Sequence, residues 1–324
     1  MHNSSSSISS IDDLHRVQPS PIYVLDDGES NSNNDSSKKS INKPKKPTSK
    51  WLIPILYRVQ KYSAYSFLSF LGIHLTSVIV VPILPINPEI KNEVFSITKA
   101  IYHDIPFFES FVIIGSSLTH ILSGIALRII KNYKKNQIKE KQQRHKLNSE
   151  NIIKINNSNI KLEDNDDEIG LGGISSIFGL GYRKSFITKY FNLTPLQFSG
   201  YLSIPFLIYH FYKFRYIPLS IEGDSSLINL DYVNYVLNLK FPLFNEICLG
   251  TLVWVVSYHV TNGILKLNSL YSSTWKKIGL GVVNTIGIMG MISIWFFKND
   301  KQFLFNGNDF VGKAFKKYLN SYFL

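Results

Sequence analysis

The sequence predicts an all-α membrane protein: a five-transmembrane-helix bundle with an internal two-helix repeat, preceded by a disordered N-terminal tail. Three observations carry this expectation. The overall composition, 44% hydrophobic and 18% charged, would suit a soluble chain, but the distribution is uneven. Residues 1–50 and the block 131–167 are polar, and most of the remainder is concentrated apolar sequence. Five of the apolar stretches reach the roughly 20 residues that a helix needs to cross about 30 Å of hydrocarbon. Four of the five each contain one histidine.

Taken in order, residues 1–50 form a tail of Ser and Asn runs followed by a basic stretch broken by Pro44 and Pro47, a composition that cannot bury a core. Its start has no apolar segment behind a basic one, so it is not a secretory signal. Arg16 is its only arginine and Asp12, Asp13, Asp26 and Asp27 are acidic, which does not fit a transit peptide. The membrane domain is expected over 51–300, with spans at 62–83, 107–130, 196–217, 243–265 and 278–297. Pro205 is expected to kink the third span. A basic cytosolic loop is expected over 131–194. Residues 301–324 are expected to form a C-terminal interfacial segment, because Phe310, Ala314, Phe315, Tyr318 and Tyr322 recur at helical spacing among lysines.

The net charge of +12 has no nucleic-acid motif behind it, and the basic residues sit beside apolar spans. With five spans, 25 of the 35 lysines and arginines fall on the side of the N-terminus, which is therefore expected to be cytosolic. The single cysteine, Cys248, lies in an apolar run; it permits no disulfide within the chain and reads as an inert buried thiol.

The spans repeat. Ser63, Tyr65 and His74 match Ser199, Tyr201 and His210 at an offset of 136, and His120-Ile-Leu-Ser-Gly124 matches His259-Val-Thr-Asn-Gly263 at 139. Residues four apart share a helix face, so Gly124 and Gly263 leave room beside their histidines. That room admits either a close helix or a flat ligand.

An ionisable side chain inside a membrane is a candidate functional residue. The sharp expectation for the four histidines is bis-histidine haem b, with one imidazole from each of two helices on each iron. At about 1.5 Å per residue, His74 and His210 lie roughly 18 and 21 Å from the cytosolic ends of their spans, and His120 and His259 roughly 15 and 9 Å. Depth therefore pairs His74 with His210 and His120 with His259. Two blander readings stand beside it: histidines that merely brace helices through hydrogen bonds, and a haem scaffold without its cofactor. No quinone site, nucleophile triad, P-loop, zinc spacing or acid–base carboxylate pair is visible, so no enzyme activity is expected.

Within the tail, Pro19-Ser-Pro21-Ile22-Tyr23-Val24-Leu25 is less polar than its surroundings. Its prolines favour extended geometry and its alternating apolar residues suit addition to a partner's sheet edge. Together with the Tyr65–His74 span and the two His-x-x-[Ser/Asn]-Gly motifs, this segment resembles the fungal mitochondrial outer-membrane adapter family, known as suppressors of lost ER–mitochondria tethering. The resemblance implies a multi-pass outer-membrane location and a Pro-x-Pro motif that recruits a bridge-like lipid-transfer protein of the vacuolar sorting class. It also implies roles in vacuole–mitochondrion contact and mitochondrial lipid homeostasis. The bundle is similar as well to the cytochrome b subunit of fumarate reductase and succinate dehydrogenase, in which four histidines on a five-helix bundle hold two haems. The long basic segment between the repeats departs from that pattern.

Overall fold

A computed structural model describes residues 49–149, 190–191, 193–224, 226–299 and 309–321. The segment Pro19–Leu25 and all of 150–189 lie outside the described residues, which contain eight helices and no strand. Helix α1 spans Ser49–Leu75 and continues through a π-helical turn, Thr76–Val80, into Val81–Ile83. Helix α2 is Pro88–His103. Helix α3 begins π-helically at Phe108–Gly115 and runs on as Ser116–Ser149. Helix α4 is Pro195–Phe211, extended by a π-helical turn, Tyr212–Tyr216, and by Ile217–Glu222. Helices α5 to α8 are Leu230–Asn238, Pro242–Leu267, Ser273–Asn299 and Phe310–Asn320.

Four helices are long and apolar enough to cross a membrane: Trp51–Ile83, Phe108–Gln143, Pro242–Leu267 and Ser273–Asn299. Only 17% to 33% of the residues in their apolar windows are buried, so most of this surface needs a lipid environment. The expected third span is helical from Pro195 to Glu222, but its regular part is 17 residues long and Lys213 and Arg215 lie beyond it. Pro205 does not break it; the departure comes at the π turn that precedes Pro218. The segment expected as a loop from 131 differs too, since α3 stays helical through Ser149.

The proline positions explain the π turns. Pro lacks an N–H and its ring crowds the carbonyl four residues back, so the ladder must widen before it. In α1 the N–H of Val81 reaches the carbonyl of Thr76, five residues back, just before Pro82. In α4 the N–H of Ile217 reaches Tyr212 in the same way, just before Pro218. Both prolines are fully buried. The displaced carbonyls find side-chain donors on other helices: Ser293 of α7 donates to Val78 at 2.8 Å, and the Tyr232 hydroxyl of α5 to Lys213 at 3.3 Å.

These turns sit at an offset of 136, as the first-span histidines do, and they enlarge the repeat. Each half consists of a long helix with a π turn, a short helix, and a second long helix: α1–α2–α3 and α4–α5–α6. Both second long helices are entered through a phenylalanine with left-handed backbone, Phe107 (φ 64°) and Phe241 (φ 62°). Within each half the long helices pack side by side, α1 on α3 and α4 on α6, and α7 lies along α6. That last seam is tight. A Cβ built on Gly287 would lie 2.6 Å from Cε2 of Trp254, and one on Gly290 2.6 Å from Cγ1 of Val253.

The densest apolar packing is at one end of the bundle. There Phe315 and Tyr318 of α8 pack with Ile217, Tyr232, Tyr235 and Val236. Beside them Phe95 of α2 meets Leu230, Leu237, Ile294 and Phe297. Asp309 caps α8 by accepting the Gly312 N–H. The apolar stripe expected at a membrane interface thus packs against protein, while Phe310 remains exposed.

Candidate functional site: paired histidines between two repeats

Among the described residues α1 and α3 make few close backbone approaches to α4 and α6, so the two halves meet there mainly through side chains. The histidines meet between them. The rings of His74 and His210 have centroids 5.9 Å apart with planes at 70°. Those of His120 and His259 are 6.0 Å apart at 82°. Each pair takes one ring from each half.

The pairs are held differently. His120 Nδ1 lies 3.2 Å from the carbonyl oxygen of Gln60, and His259 Nδ1 lies 3.2 Å from that of Leu196. Gln60 and Leu196 occupy equivalent positions at the offset of 136, each 14 residues before its helix's own histidine. The same two carbonyls accept the hydroxyls of Ser63 and Ser199, and Ser199 Oγ is also 3.3 Å from His259 Nδ1. A carbonyl only accepts, so each Nδ1 carries the proton and Nε2 keeps its lone pair on the opposite edge of the ring. At the other pair, Nδ1 of His74 and of His210 are buried without a hydrogen-bond partner. Aromatic rings surround them: Phe70 stacks on His74 at 5.3 Å, Tyr102 stands edge-on to Phe70 and His74, and Phe214 lies 5.0 Å from His210.

The glycines diverge. A Cβ on Gly124 would lie 3.1 Å from Gln60 Nε2, so Gly124 serves the close approach of α1 and α3. Beside Gly263 there is open space for at least 4 Å. The tightest contact on a histidine is one that sequence spacing did not single out: a Cβ on Gly200 would lie 2.8 Å from Cε1 of His259. Also unanticipated is the polar bridge between the halves, in which Arg215 of α4 pairs with Glu109 of α3, and His103 Nδ1 joins the same carboxylate at 3.1 Å. The recurrent His-x7-Pro spacing was readable in the sequence. The carbonyl partners were not, since a backbone acceptor leaves no mark on residue type.

Among the described residues no group of three or more His, Cys, Asp or Glu side chains converges as a metal cage. Residues 69–187 and 205–300 match the family described as MDM10-complementing protein 1, transmembrane domain. These ranges cover more than half of the chain and contain all four histidines. The chain belongs to this family. A relative within the MDM10-complementing protein 1 group is the "Mitochondrial adapter protein MCP1" of Saccharomyces cerevisiae, 24% identical over 294 residues, which are 87% of this chain and 89% of that protein. No solved structure gives a significant match. The family's matched ranges begin beyond the tail, so Pro19–Leu25 stands on the sequence alone.

Proposed function

We propose that this protein is a non-enzymatic adapter of the mitochondrial outer membrane, with its N-terminus in the cytosol and five helices crossing the bilayer. Its tail segment Pro19, Pro21, Ile22, Tyr23, Val24 and Leu25 recruits a bridge-like lipid-transfer protein of the vacuolar sorting class. Recruitment sustains vacuole–mitochondrion contact and lipid supply to mitochondria. The observation that carries the reading is family membership together with a relative named as a mitochondrial adapter. The division of labour in the chain supports it: an apolar bundle suited to a bilayer follows a polar tail with one compact Pro-x-Pro segment. The basic flank of the N-terminal side supports the orientation.

The fifth crossing is assigned to α4. Its whole helical length, Pro195 to Glu222, is enough to span, and it lies alongside α6. Lys213 and Arg215 near its end have their charges satisfied within the protein, Lys213 donating to Tyr209 and Asn245 and Arg215 to Glu109. The test of the adapter reading is Pro19→Ala with Pro21→Ala in the full chain. Partner recruitment to mitochondria should disappear while the variant remains in the mitochondrial membrane. Recruitment at the wild-type level would overturn the assignment of the tail segment.

A further inference from the structure

We propose that the bundle binds a b-type haem between its two halves, the iron taking Nε2 of His120 and Nε2 of His259. Four features of the chain converge on this pair. Metal–imidazole bonds of about 2 Å on opposite sides of an ion put the ring centroids roughly 6 Å apart, and the two rings lie 6.0 Å apart. Each Nδ1 is engaged by a backbone carbonyl, Gln60 or Leu196, which fixes the tautomer and directs the free Nε2 away from it. A ligating histidine almost always has such an outer partner, which orients the ring and raises its basicity. The long helices of the two halves make few close backbone approaches, and the space beside Gly263, one helical turn from His259, is open.

Gly200 is a positioning residue in this arrangement. The His259 ring fits against the bare backbone at Gly200, and any Cβ there would push on Cε1. The pair His74 and His210 has nearly the same spacing but no acceptor for either Nδ1, so it lacks the bracing that supports the other centre. The assignment is therefore made for His120 and His259.

The experiment uses the full chain, purified from membranes and titrated with haemin in nanodiscs. A low-spin bis-imidazole spectrum with a Soret band and a sharp reduced α band should appear. Ring planes near 82° should give a highly anisotropic low-spin electron paramagnetic resonance signal. His120→Ala and His259→Ala should each abolish the signal, while His74→Ala leaves it. His120→Met keeps an iron ligand and should raise the midpoint potential, as thioether ligation does. Gly200→Val should weaken haemin affinity about 10–100-fold, the usual effect of disturbing a ligand's outer support. Elution as a monodisperse peak establishes that each variant is folded. A folded wild-type chain that stays colourless would overturn the proposal, and so would haemin uptake unchanged in His120→Ala and His259→Ala. Neither result touches recruitment through Pro19 and Pro21, so this proposal and the adapter reading fail separately.

Discussion

Removing the Ser293 hydroxyl tests why the first helix widens where it does. Pro82 brings no N–H to the carbonyl of Val78, its partner four residues back in a regular helix, and that carbonyl instead accepts from Ser293 Oγ at 2.8 Å. Ser293 is 2% exposed, so water cannot replace the lost donor in Ser293→Ala. A buried carbonyl losing a donor costs about 1–3 kcal/mol. At about 2–4 °C per kcal/mol for a unit of this size, the melting temperature should fall by roughly 2–12 °C. Pro82→Ala restores an N–H in register with Val78, so the ladder can close without help from α7. In that background Ser293→Ala should cost less than half as much, a coupling of about 1 kcal/mol in a double-mutant cycle. Packing lost with the proline ring is common to both arms and cancels. Thermal unfolding of the four full-length proteins in one detergent, followed by tryptophan fluorescence, measures every corner of the cycle. Equal Ser293→Ala costs in the two backgrounds would refute the link between Pro82, the π turn and Ser293.

Three further outcomes follow from particular contacts. Gly287→Ala should destabilise by about 1–3 kcal/mol through overpacking on Trp254, whereas Gly281→Ala, with nothing within 4 Å of its Cβ, should be neutral or gain up to about 1 kcal/mol of helix propensity; equal melting temperatures would contradict the α6–α7 seam. Phe315→Ala should cost about 3–5 kcal/mol because the ring is fully buried, whereas Tyr318→Phe should be neutral or stabilising because its buried hydroxyl has no hydrogen-bond partner; tolerance of Phe315→Ala would mean that α8 is not docked. Burial raises the Asp231 carboxyl above its ordinary value, against hydrogen bonds from Asn92 and Asn229, so the folded state holds the proton more tightly than the unfolded chain. Its ionised form therefore costs stability at neutral pH, and that cost is relieved as pH falls through the raised pKa towards the ordinary 3.8. Asp231→Asn keeps an oxygen for both donors, so it should melt higher at pH 7 and show a flatter acid limb; a lower melting temperature at pH 7 would reverse the sign.

The fold class was legible because a bilayer imposes a compositional rule: long stretches without charge have few other uses. Segments 62–83, 107–130, 243–265 and 278–297 each fall within a long apolar helix apart from one residue at the start of the second. The third was less plain, because Lys213 and Arg215 sit where α4 has already left regular geometry. The short helices α2 and α5 were not visible as parts of the repeat: they have 16 and nine residues and no common register. Helix at 131–149 was hidden for a different reason. Lysine, glutamine and glutamate form helices readily without an apolar face, so a charge run says little about backbone conformation.

What the two halves share is backbone geometry more than side chains. Equivalent positions hold Gln60 and Leu196, Ser77 and Lys213, or Ala64 and Gly200. Yet the carbonyl at the first of these engages a histidine at 3.2 Å in both halves, and the π turn ends just before a buried proline in both. The Ser63 or Ser199 hydroxyl bonded to that carbonyl also recurs, and the two histidine pairs share a ring spacing. Side chains at these levels diverged while the position and tautomer of the imidazole did not, so the backbone of the repeat sets where the free Nε2 edge lies.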